Sequence, residues 1–198
     1  MWAVGDTVPI ELIGQFDGLY FCGAVYAFII GFDHNPDIEG TNTIHFQFGK
    51  TADGTDIAFV NNVLAGITMN DSATNFGGWK NSYMRTKLNS LFINLFPTAW
   101  QNIITACTKY TSNRGGGESV TGAAAVSSTK DKLWLLAVYE VYGTHLSNGN
   151  NFINEADITK QKQYEYYKAG NSTVKNQHYD IETACFWWLR TVHLGGSG

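Results

Sequence analysis

The sequence predicts an α+β fold, on three observations. Strand-like segments come first and last around a helical middle, in the order β, β, β, β, α, α, then β, which is not the alternation that builds a βαβ parallel sheet. Charged residues are only 15% of the chain, against about 25% in typical soluble domains. Gly, Asn and Thr supply the polar surface instead, the composition of a loop-rich, β-rich protein of the extracellular or viral kind. Third, residues 183–190 read Thr-Ala-Cys-Phe-Trp-Trp-Leu-Arg. Alternation along a strand sends Phe186 and Trp188 to one face and Trp187 and Leu189 to the other, so this segment needs cover on both sides and is expected to be a central strand.

The elements follow in order. Val8, Ile10 and Leu12 alternate with polar residues and give a first strand, and Gly14 and the Asp17-Gly18 pair are expected to turn the chain after it. Residues 20–30 are nearly all apolar and β-prone, hence a buried strand. Residues 31–42 form a polar loop around Pro36. Ile44, Phe46 and Phe48 then share one face of a third strand, with His45 and Gln47 on the other, and a fourth strand follows Asp53-Gly54 at 56–60. Here the period changes. Met84, Leu88, Leu91, Phe92 and Leu95 recur at helical spacing. Pro97 ends that helix and opens a short one through Trp100, Ile103 and Ile104. A short strand lies near 105–110, and the Gly-, Ser- and Ala-rich residues 112–128 form a surface excursion. Residues 133–142 read as a buried strand, with a helix left open by the pattern, and 163–168 as one helical turn. Chain length and the lack of any linker give one domain over residues 1–198. Trp79, Trp134, Trp187, Trp188 and Arg190 are expected in its structural core.

Composition excludes some functions. A net charge of −4 without any basic run argues against a nucleic-acid partner. The longest apolar run, 20–30, contains Gly23 and is far short of the roughly 20 residues of a membrane helix, so no membrane insertion is expected. The N-terminal Met-Trp-Ala-Val-Gly-Asp lacks the regions of a signal peptide; a protein working outside a cell would be carried there as part of a particle. Cys22, Cys107 and Cys185 are odd in number and widely spaced, and are expected as buried free thiols packing as small hydrophobes. No nucleophile elbow joins the Ser, His and Asp residues, and Gly115-Gly116-Gly117 lacks the Lys-Ser/Thr of a phosphate loop. No catalytic residue is assigned and the protein is expected not to be an enzyme.

Three groups are candidate sites. Asp33, Asn35, Asp37 and Glu39 place oxygens at alternate positions, as calcium loops do, although Ile38 stands where an EF-hand needs Gly. Calcium is the one cofactor this loop suggests, against a plain solvated loop. His34 and His45 with Glu39 are ligand types for a transition metal, at a spacing that does not demand one. Arg190 beside two Trp residues either stacks on an indole or pairs with a buried carboxylate, locking the structure. Tyr164, Tyr166, Tyr167, His178 and Tyr179 form an aromatic set in polar, exposed-looking surroundings, suited to sugar or protein recognition. They are the expected ligand contacts.

Several stretches carry a resemblance: Gly31-Phe-Asp-His-Asn, Glu39-Gly40, Ile44-His-Phe-Gln, Gly77-Gly78-Trp79, Met84-Arg85, Lys109-Tyr110-Thr111 and Trp187–Arg190. In this order they resemble an uncharacterised domain family of Firmicutes and their phages, recognised by a Trp-Trp-Leu-Arg-Ser signature, with Thr191 standing here for the Ser. That family looks like a relative of the C-type-lectin-like fold of formylglycine-generating enzymes and phage tropism determinants. The resemblance implies a C-type-lectin-like domain with small twisted antiparallel sheets flanked by two helices. Similar domains run on for a few strands past the signature, so the resemblance implies either that those strands come from elsewhere or that the chain is truncated at the C-terminus. It also implies a non-enzymatic recognition or structural module of a phage or prophage particle, in the virion tail or receptor-binding apparatus. Its partners would be a host cell-surface glycan or protein and other virion proteins, with homo-oligomers in a tail tip. The alternatives are a bacterial surface adhesin module and an oxidase-like enzyme of the formylglycine-generating type; neither the calcium-linked lectin tripeptides nor the paired active-site cysteines of those relatives are present.

Overall fold

The computed structural model describes residues 1–16, 18–58, 68–72, 74–113, 126–144, 160–177 and 182–192. They form a mixed α+β structure of small, mostly antiparallel sheets and several short helices. The first sheet runs β1 (Thr7–Phe16), β2 (Leu19–Phe32), β3 (Ile44–Lys50) in that order. In β1 the predicted two-residue period is kept: Ile10, Leu12 and Phe16 are buried while Thr7, Pro9, Glu11, Ile13 and Gln15 face water. Gly14 sits on the inward face with φ of 135°, and a Cβ there would lie 2.8 Å from Leu95 Cδ2, so both backbone and space call for glycine.

The strand with cover on both sides is β2. Ala27 joins one core with Ile10, Leu12, Phe16, Met84 and Leu88. Phe28 and Ile30, on the opposite face, join a second core with Leu136, Val141 and Tyr164. Two register shifts against β3, at Tyr26/Ala27 and Ile29/Gly31, bend the strand so that both layers can close on it. Near the start of β2 Cys22 is exposed rather than buried as expected; Cys107 is buried and Cys185 half-buried, and none of the three is in a disulfide.

Residues 183–190 are therefore not the central strand. They contain only β8 (Ala184–Cys185), paired with β7 (Lys175–Gln177), and Phe186 is 84% exposed. The predicted alternation survives in the packing: Trp188 lies against the first core, Trp187 and Leu189 against the second. Beyond β8 the segment makes a single β-bridge at Trp187 and is tied down through Arg190, whose N–H donates to Leu136 O at 2.9 Å. One pairing departs from the antiparallel expectation: β4 (Ile57–Ala58) runs parallel to β7. The third pair is β5 (Cys107–Ser112) with β6 (Val126–Asp131), antiparallel.

The helices are short. After α1 (Pro36–Glu39) and α2 (Gly78–Asn81) comes the predicted amphipathic helix, α3 (Tyr83–Ser90). Ser82 caps it, its Oγ accepting from Arg85 N at 3.1 Å. The period then tightens into a 3-10 turn, Phe92–Leu95, which swings Leu91 out to 50% exposure although the helical pattern placed it inward. Pro97 opens α4 (Thr98–Ile103) as expected. The second half of 133–142 is α5 (Val138–Tyr142), so the helical alternative holds there, and α6 (Glu165–Lys168) is the predicted single turn. Among the described residues, no helix is long and apolar enough to cross a membrane.

Candidate functional site

Elements from both halves of the chain converge on a buried ionic cluster. Lys109 points inward from β5 and is 1% exposed. Its Nζ donates to Glu39 at 2.8 Å, to Glu140 at 3.1 Å and to Tyr164 Oη at 2.8 Å, and lies 4.8 Å from the Trp134 ring centre. Glu140, on α5, is gripped from its other side by Arg190, with Nη1 at 2.5 Å and Nη2 at 2.8 Å. Arg190 Nε also donates to Thr111 Oγ1 at 2.9 Å. Two cations thus face two carboxylates, and only such pairing makes burial of four charges tolerable.

The two carboxyls differ. Although burial opposes its charge, Arg190, Lys109 and the Ala137 N–H hold the Glu140 carboxyl well below its ordinary range. Glu39 is pushed up, first by burial and then by the neighbouring charge of Glu140, against the pull of Lys109. His45 Nδ1 pairs with Tyr164 Oη at 2.8 Å and lies 3.5 Å from Glu39 Oε2. Burial and then Lys109 push its pKa down to about 3, so the ring is neutral and this approach is no ion pair. His34 stacks on Tyr164 at 3.6 Å with 14° between planes; neither ring nitrogen has a hydrogen-bond partner, and burial lowers it to about 4. Cys107 is a thiol, pushed up to about 12 by burial.

Beside this cluster lies a cavity of about 430 Å³, lined by Phe46, Phe48, Trp100, Trp134, Trp187 and Trp188 among other apolar side chains. Glu39, His45, Cys107 and Lys175 are polar or titratable groups in its wall. Two polar atoms of lining residues are buried without a partner: Trp188 Nε1, a donor, and Glu39 Oε2, an acceptor. Trp187 Nε1, in contrast, donates to Thr173 O at 3.2 Å.

The expected sites are rearranged. Tyr164, Tyr166 and Tyr167 are 0%, 4% and 4% exposed, so they build the second core and are not surface contacts. Polar Gln163, Glu165 and Lys168 made the segment look exposed, but one helical turn puts the tyrosines on the inward side. His178 and Tyr179 lie outside the described residues. The calcium set is not assembled: Asp33 accepts from Thr43 N at 2.8 Å, Asn35 donates to Lys160 O at 3.1 Å, and Glu39 serves Lys109, while Asp37 is exposed. Trp79 and Arg190 are buried as expected; Trp134, Trp187 and Trp188 are only half-buried because they wall the cavity. Arg190 does pair with a buried carboxylate. Lys109 and Glu140 were missed, though Glu140 is the one charge in the apolar run 133–142 and so carried a signal.

A family model described as a domain of unknown function (DUF6273) matches residues 56–198, well over half of the chain. The chain belongs to the DUF6273 family. No curated protein and no solved structure matches it. The DUF6273 segment supplies Cys107, Lys109, Glu140, Tyr164, Arg190 and the cavity tryptophans, whereas Glu39 and His45 come from the residues before it. Cluster and cavity wall are thus joint products of the DUF6273 segment and of α1 and the N-terminal sheet before it.

Proposed function

We propose that the chain is a non-catalytic recognition module on a C-type-lectin-like scaffold, carried in the tail or receptor-binding apparatus of a phage or prophage particle. It takes an apolar or aromatic-faced group of a host-surface glycan or protein into the cavity walled by Trp134, Trp187 and Trp188. The cavity carries this reading. Its volume of about 430 Å³ falls in the range of small-ligand sites, which are mostly apolar with a few placed polar groups. Indole faces suit the C–H face of a sugar ring or an aromatic side chain, and the Trp188 N–H and Glu39 Oε2 offer one donor and one acceptor for orientation.

The state of the polar groups supports binding over catalysis. A general acid or base works best with a pKa near the operating pH, but His45 is far below it and the Cys107 thiol far above it. Glu140 and Arg190 are committed to each other. The ionic cluster serves as a rigid frame that fixes one side of the cavity.

The test is binding of the fluorescently labelled domain to intact host-range bacteria and to their purified wall glycans. Saturable binding is expected, and it should fall at least tenfold in Ala106→Trp, which adds bulk to the cavity lining, at unchanged fold by circular dichroism. Equal binding by Ala106→Trp, or no binding to any cell or glycan, overturns the proposal.

A further inference from the structure

We infer that Glu39, His45 and Cys107 form a site for a divalent transition metal of the zinc class, open on one side to the cavity. One ligand atom from each residue, all buried, lies within 4.8 Å of the other two. A tetrahedral zinc with bonds of about 2.0–2.3 Å sets its ligand atoms roughly 3.3–3.7 Å apart. Glu39 Oε2 and His45 Nδ1 are already 3.5 Å apart, so a small inward shift completes the set. Carboxylate oxygen, imidazole nitrogen and sulfur together match zinc better than calcium or magnesium, which take oxygen alone.

An independent observation points the same way. The Glu39 side chain is 2% exposed, and while one oxygen is held by Lys109, Oε2 is buried with no hydrogen-bond partner. A carboxylate oxygen left bare in the interior is costly, and a cation at this point removes the cost. Lys109 already holds the other Glu39 oxygen, the usual means of orienting a metal ligand, and metal binding at His45 Nδ1 displaces its present partner, Tyr164 Oη. The three residues come from α1, β3 and β5, elements held together by the core.

A second set, His34, Glu39 and Glu140, is as close-knit, but both Glu140 oxygens are occupied by Arg190, Lys109 and Ala137 N. Only the first set lies entirely in the cavity wall, which gives the ion a way in. Three protein ligands leave a fourth position facing the cavity. As the metal–sulfur bond forms, Cys107 gives its proton to solvent. The bound ion then adds one net positive charge to a cluster in which Lys109 and Arg190 balanced Glu39 and Glu140. The fourth position therefore favours an anion, such as hydroxide or a carboxylate. A bound ion takes up Glu39 Oε2, so in the metal-loaded protein the Trp188 N–H and the fourth metal position orient whatever else fills the cavity.

The experiment uses cobalt(II) as probe on the full chain carrying Cys22→Ser and Cys185→Ser, so that Cys107 is the sole thiol, after stripping with a chelator. One equivalent should bind with a thiolate-to-cobalt charge-transfer band in the near ultraviolet, displaced by zinc. The band should vanish in Cys107→Ser, which keeps size and leaves the ionic cluster intact, and affinity should drop at least tenfold in His45→Gln. Thermal melts establish that each variant is folded. A folded protein that gives no charge-transfer band, or the same band without Cys107, overturns the site.

Discussion

Glu140 is the residue on which the interior turns. Both its oxygens receive charged or backbone donors, and it links Lys109 to Arg190 across two elements. Removing one partner of a buried pair is expensive, about 3–5 kcal/mol, because the other charge is left uncompensated. Arg190→Met should therefore cost about that much in urea unfolding. The joint change Glu140→Leu with Arg190→Met leaves Lys109 balanced by Glu39, so it should cost less than Arg190→Met alone; additive losses would contradict the network. Part of this was legible in the sequence. An Arg next to two tryptophans signals either stacking or a buried acid, and the acid is the answer. Which acid was hidden, because 133–142 read first as a strand, and only the turn into α5 brings Glu140 to face β5. The tyrosines misled for a related reason: residue identity shows polar neighbours but not which side of a single helical turn is covered.

At the level of elements, local pattern was reliable where it was long and periodic. The alternation of β1 and the helical spacing of Met84, Leu88, Phe92 and Leu95 both hold, and the Ser82 cap makes a second check on α3. Ser82→Ala should lower stability by about 1 kcal/mol. Gly14→Ala should lower it by about 1–3 kcal/mol, since the new methyl meets Leu95 at a positive φ; a neutral result in thermal melts would mean that β1 does not lie against the 3-10 turn. Pattern failed where non-local contact decides. Four large apolar residues in a row suggested a central strand at 186–189, yet among the described residues they form no strand: Trp187 makes a single bridge, Trp187 and Trp188 wall the cavity, and Phe186 is exposed. The two-residue β4 could not announce its parallel partner β7, because pairing of so short a segment depends on where the rest of the chain delivers it.

For the molecule as a whole, the interior predicts how stability responds to acid. His34 and His45 titrate near 4 and 3 when folded and near 6.5 when unfolded. Their folded values are depressed, so the unfolded chain binds protons first; their stabilising effect is complete above pH 6.5 and is lost as pH falls toward 4. Each histidine contributes a slope of up to about 1.4 kcal/mol per pH unit. Glu39, raised when folded, acts in the opposite sense by one proton at most, so the net slope keeps its sign. Urea midpoints of chelator-treated protein should fall steadily between pH 6.5 and 4.5, and His34→Gln should flatten the curve; a flat wild-type profile would mean that the histidines are not buried.

The proposed function requires the tryptophan-walled cavity to bind a ligand. Proton–nitrogen spectra of the indole N–H groups, with Trp188 assigned through Trp188→Phe, test this directly when the protein is titrated with a panel of methyl glycosides and indole- or phenol-bearing peptides. The Trp188 signal should shift saturably with at least one of them, while Trp2, which is 57% exposed and outside the cavity lining, stays in place. A panel that moves only Trp2, or no indole at all, would contradict the account.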